Sequence, residues 1–243
     1  MTEHEKASAV AAEERAGEVG AGSASAEAAA AADGVVDLLG MVSYASLVAF
    51  FRLAEDASLA PSVPDRADLA AVAVTQFGHF ALLRDHIAGL GVDPQQAMRP
   101  FVEPIDAFHA RTAPSDWLEG LVKAYVGDGI AADFFRVTAR LLDEPSRSVV
   151  LSVLADAGQA QFTITRVRDA IAADPAVAGR LALWARRLVG EALSQAQRVA
   201  AEREPLARLL AGGSPAQLGE IGRMFAELTD AHVQRMGRLG LAD

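Results

Sequence analysis

Apolar residues return along this chain at steps of three and four, the period of an α-helix buried on one face. In LAAVAVTQFGHFALLRDHI, residues 69–87, Leu69, Val72, Gln76, His79 and Leu83 fall on one stripe. Two polar side chains, Gln76 and His79, thus stand where an apolar seam should run. Upstream, Val35 to Asp56 is predicted as a first helix, with Tyr44, Val48, Phe51 and Glu55 on its stripe. The prolines of APSVPD break it, and Asp65 is placed to cap the second helix, which ends near Gly89. A long connection with four prolines follows, with a short helix around Ile105 to Arg111.

The third helix opens at Ser115 or Asp116 and carries Trp117, Leu121, Val126, Ile130, Asp133, Val137 and Leu141 on its stripe. Gly127 and Gly129 weaken it locally, marking a kink or a close helix approach. A fourth helix is predicted from Ser146 to Ala172, and Asp174-Pro175 starts a fifth. That fifth stripe holds Val177, Leu181, Trp184, Leu188, Glu191 and Gln195. Ser214 caps a last helix, with Pro215 at its first position and Gln217 closing a capping box. No period-two strand interrupts the series. The fold class is all-α: four long helices in one bundle, with further helices after them.

Each of the first four long helices carries polar residues in mid-seam: Glu55, then Gln76 and His79, then Asp133, then Asp156 and Gln159. A buried carboxylate is costly unless it is paired or bound to a metal. The order single, pair, single, pair is that of a two-metal carboxylate bundle, in which two helices give one Glu each and two give Glu-x-x-His. The i, i+3 spacing has a physical cause, since it sets a carboxylate and an imidazole on one helix face.

On the segments FFRLAEDASLAP, TQFGHFALL, VGDGIAADFFR and VLADAGQAQF the chain resembles the ferritin-like superfamily. More narrowly, it is similar to ferritin-like proteins related to tRNA-modifying non-haem di-iron hydroxylases. The resemblance covers roughly Val35 to Ala172. It implies a ferritin-like four-helix bundle, two irons as cofactor and O2-dependent hydroxylation or a related oxidation. It places Glu55, His79, Asp133 and Asp156 at ligand positions, with Gln76 where a bridging Glu belongs and Gln159 where the second His belongs. Amide oxygen is a weak ligand beside imidazole. The site therefore reads in three ways: two irons, a single weakly held metal, or no metal and a hydrogen-bonded polar seam. The last makes the bundle a non-enzymatic scaffold or partner-binding protein. Iron storage, which needs a cage and full ferroxidase ligands, fits the ligand set least.

Composition changes this picture in a few places. Residues 1–33, rich in Ala, Glu, Gly and Ser with no large apolar residue beyond Val, are expected to be a disordered acidic tail, leaving 34–243 as the helical domain. The tail holds seven acids against Lys6 and Arg15, so much of the net charge of −10 lies there. That charge argues against general nucleic-acid binding, though a local arginine cluster could meet an anion, so the substrate class is left as a small molecule or RNA. No long uninterrupted apolar run predicts a membrane span, and no basic, then apolar leader opens the chain. With no cysteine there is neither a disulfide framework nor a thiolate site. A bacterial, cytoplasmic setting is the expectation, with assembly into a homo-oligomer open. Glu191 is read as paired with Arg187, Arg180, Arg186, Arg187 and Arg198 as a solvated face, and His86, His109 and His232 as exposed or capping residues.

Overall fold

The computed structural model describes residues 3–154, 159–211 and 218–241, with side chains described from residue 29 on, apart from 159, 218–221 and 225. Its long elements are α1 (Glu3–Asp56), α2 (Val63–Gly89), α5 (Trp117–Thr138), α8 (Ala176–Glu202) and α10 (Leu218–Leu239). Between them lie α3 (Pro94–Met98), α4 (Val102–Arg111), α6 (Glu144–Leu154), α7 (Gln159–Ala173) and α9 (Glu204–Leu210). There is no strand among the described residues. The all-α expectation stands.

One boundary differs from those read in the sequence. Ser62, not Asp65, is the cap of α2: its Oγ accepts from the Asp65 backbone N–H at 3.2 Å and donates to the Asp65 carboxylate at 2.6 Å. Asp65 is then free to reach across and hold Arg166 of α7 at 2.7 Å. Over the predicted fourth helix the described residues form α6 and α7, and residues 155–158, Asp156 included, lie outside the described residues. Asp174 caps as expected, accepting from the Ala176 N–H at 3.0 Å, whereas Ser214, Pro215 and Gln217 lie outside the described residues.

The α1 helix bound falls well ahead of Val35, since Ala and Glu, both good helix formers, fill that stretch. Ala29–Leu59 contains an 18-residue window long and apolar enough to cross a membrane, with mean hydropathy 1.8, but half of that window is buried inside the bundle, as in a core helix. Close backbone contacts fix this helix. Gly34 passes Pro205 of α9 so tightly that a Cβ would lie 2.7 Å from the carbonyl oxygen, and Gly40 leaves room for the Ala97 carbonyl of α3. Asp37 is clamped by Arg203 through hydrogen bonds of 3.1 and 2.5 Å.

The core divides into two clusters along the bundle. One gathers Leu53, Leu69, Val72, Leu121, Val126, Val167, Leu181 and Leu188. The other gathers Leu38, Leu39, Val42, Leu83, Ile87, Phe135, Val150 and Val153. Between them α1 contributes residues 43–49 to neither, α2 residues 74–82 and α5 residues 127–129. The three gaps define one mid-bundle zone.

Candidate functional site

Side-chain and backbone contacts set the register of the helices around that zone. Phe50 and Phe77 rings pack 5.3 Å apart between α1 and α2. Two residues back on α1 and two further along α2 bring Val48 level with His79. Gly120 of α5 lies beneath Asp56, where a Cβ would be 3.4 Å from its carboxylate. Eight residues back from Asp56 and eight on from Gly120 bring Asp128 level with the same Val48. On the far side, Asp65 holds Arg166 and His86 Nε2 meets Ser146 Oγ at 2.9 Å. Seven residues back from His86 and seven on from Ser146 bring Val153 of α6 level with His79.

The zone is polar on every described helix. Ser43 and Ser46 are buried on α1, and Ser43 Oγ has no hydrogen-bond partner. His79 is buried on α2, with Gln76 half-buried one turn before it. On α5, Asp128 is half-buried and makes no hydrogen bond or ion pair among the described residues. Burial pushes its carboxyl up to about 7. An unpaired carboxyl with a raised pKa in mid-bundle makes Asp128 a candidate site residue.

Glu55 and Asp133 lie elsewhere. Glu55 is 65% exposed and paired with Arg52 at 2.8 Å. The inward stripe of α1 runs through Leu39, Val42, Ser46 and Leu53, rotated from the one read in the sequence, which leaves Phe51 exposed as well. Asp133 is taken by Arg136 at 2.8 Å and by Arg235 of α10. Arg235 reaches it by lying across Gly129, where any Cβ would overlap the guanidinium. Gln159 lies in α7 with its side chain outside the described residues. The residues that the sequence reading missed are Ser46 and Asp128. Asp128 had a signal, a lone acid flanked by two glycines in an apolar helix.

A second polar group lies at the α1–α4–α5 end. Buried Lys123 donates to the Thr112 carbonyl at 2.6 Å and sits 5.8 Å from the Phe108 ring centre. Burial lowers its amine to about 8, and the Asp56 carboxylate opposes that shift. Burial, then the nearby Lys123 and Arg52 charges, lowers His109 to about 3. His109 is thus an interior group with an unpartnered Nδ1, not a surface one. His86 likewise is half-buried through Ser146. Glu191 pairs with Arg111 at 3.5 Å, and Arg180 and Arg198 are engaged by acids.

A family model described as a ferritin-like domain of actinomycetes matches residues 29–213. The chain belongs to that ferritin-like family. Among solved structures, a Synechococcus protein with aldehyde deformylating oxidase activity superposes with a TM-score of 0.62. At 17% identity over 87% of this chain and 92% of that one, the likeness is one of fold. No curated protein matches the sequence.

Ferritin-like bundles of the di-iron kind draw six side chains from four helices. From α1, α2 and α5 they need three carboxylates and one imidazole. The described zone of this chain offers one carboxylate, Asp128, one imidazole, His79, and an amide, Gln76, with hydroxyls on α1. No three His, Asp or Glu converge as a metal cluster among the described residues. The missing carboxylates matter most, because they balance the charge of two divalent ions and bridge them. These four of the six donor positions do not fit a two-metal centre.

Proposed function

We propose that the protein is a ferritin-like bundle that no longer assembles a di-iron centre and acts as a scaffold or partner-binding protein. The observation that carries this reading is on α1 and α2: buried Ser46 and half-buried Gln76 stand in the zone where carboxylates are needed. The remaining polar residues suit a metal-free seam, since a protonated Asp128, an imidazole and two hydroxyls can donate and accept within it. An oxidase or hydroxylase working on two irons, with a small molecule or RNA as substrate, is the rival reading. The activity of the Synechococcus neighbour favours it by analogy of fold alone.

The test is anaerobic loading with Fe(II), desalting and elemental mass spectrometry. The wild-type chain is expected to retain well under one iron per chain. Combining Ser46→Glu, Gln76→Glu and Gln159→His is expected to raise retention toward two. Two irons held by the wild-type chain would overturn the proposal and return Asp128, His79 and Asp156 to the role of ligands.

A further inference from the structure

The outward face of α2 is apolar where a solvated helix face should be charged. Val63, Ala67, Ala70, Val74 and Phe77 are exposed, and Ala81 half-exposed, at alternating steps of four and three. Val74 is 67% exposed, and beside it on α1 Phe51 is 54% exposed. The Phe51, Phe50 and Phe77 rings run in one series across the two helices. From Val63 to Leu82 this arc holds no charged side chain; Arg66 and Asp68 stand to its sides. That length of helix is about 30 Å, and with the α1 flank the face is about 20 Å wide. An apolar patch of roughly 600 Å² is at the upper end of the largest patch a typical monomer exposes, a size that is often functional. It approaches the roughly 800 Å² per partner of an ordinary stable interface.

We propose that this face pairs with the same face of a second copy, α2 against α2, antiparallel about a two-fold axis between Val74 and Phe77. The spacing is its own complement. Inverted about that axis, Val74 comes level with Phe77 of the other copy and Ala70 with Ala81. Ala71 and Gly78, both exposed, leave room on one side for close helix approach. On the other side Phe77 and Phe51 meet their counterparts. The proposal goes beyond the scaffold reading and is independent of metal, since the face lies on the outside of the bundle.

Sedimentation equilibrium of the full chain is expected to give a dimer of the 25.4 kDa protomer with micromolar affinity. Val74→Arg or Phe77→Arg should weaken it about thirtyfold or more, as loss of a central contact does. Both positions are exposed, so an unchanged circular dichroism melt will show that the fold survives. Leu183→Arg, 65% exposed on α8, should leave the dimer intact. With no native cysteine, single thiols then report the register. Val74→Cys should join two copies through a short bismaleimide. Val63→Cys, about 37 Å from its counterpart in this arrangement, should not. A wild-type chain that stays monomeric at 100-fold the expected dissociation constant overturns the proposal. So does a dimer that survives both arginine variants, or one that cross-links through Val63→Cys.

Discussion

At the scale of single residues, Asp128 ties proton binding to the fold. Its carboxyl, near 4 in an unfolded chain, stands at about 7 when folded. Between those values the folded state holds a proton that the unfolded state has released. Stability therefore falls as pH rises through this window and levels off above it. Asp128→Asn removes the effect. The variant is expected to be more stable than wild type, by a margin that grows about 2 kcal/mol between pH 5.5 and pH 8. His109 works in the opposite direction, its folded value of about 3 adding stability as pH rises toward the ordinary imidazole value. It acts in both proteins and cancels from the difference. Lys123, lowered to about 8, adds its own upward slope only above that pH. Urea melts of the two proteins at both pH values decide the matter. A margin that stays flat or shrinks would mean that Asp128 is charged and partnered in the fold.

At the scale of elements, α5 carries two glycines that look alike in sequence and differ in place. A Cβ at Gly127 would meet nothing within 4 Å, whereas at Gly129 it would strike Arg235 of α10. Gly127→Ala is expected to stabilise by about 0.5–1 kcal/mol, through helix propensity alone. Gly129→Ala should cost about 2 kcal/mol, since a buried guanidinium bound to Asp133 must move. In an Arg235→Ala background that cost should vanish, and a double-mutant cycle of denaturant melts reads it directly. A Gly129→Ala that remains costly without Arg235 would show that α5 and α10 are held apart by something else.

These elements also show why the register was harder to read than the helices. On α1, residues 47–54 are apolar on nearly all sides, so periodicity admits more than one stripe. The stripe through Phe51 and Glu55 was as regular as the buried one through Ser46 and Leu53. Hydroxyls inside an apolar run were the better guide, because Ser43 and Ser46 have nowhere to go but inward. On α2 the alternation of buried and exposed residues is sharp, and there Gln76 and His79 were placed correctly on the inner side. Asp133 was misread because its partner, Arg235, lies 102 residues away on another helix.

At the scale of the whole molecule, the bundle was legible because its helix periods, prolines and caps agree with one another from Val35 onward. Nothing of that kind organises the first residues. The match to the ferritin-like family begins at residue 29, and Gly34 of α1 is held in a tight backbone contact. Residues 1–28 hold six acids against two bases, so removing them changes the formal charge from −10 to −6. They contain no side chain larger than Val that could anchor them in the core, apart from the initiating Met and charged or imidazole groups. A chain of residues 29–243 should therefore melt within about 2 °C of the full protein and form the same α2-paired dimer. A fall beyond about 4 °C, roughly 1 kcal/mol or more in a domain of this size, would show that the acidic segment packs on the bundle. Loss of the dimer with the melt unchanged would instead move the pairing surface from α2 to the N-terminal part of α1.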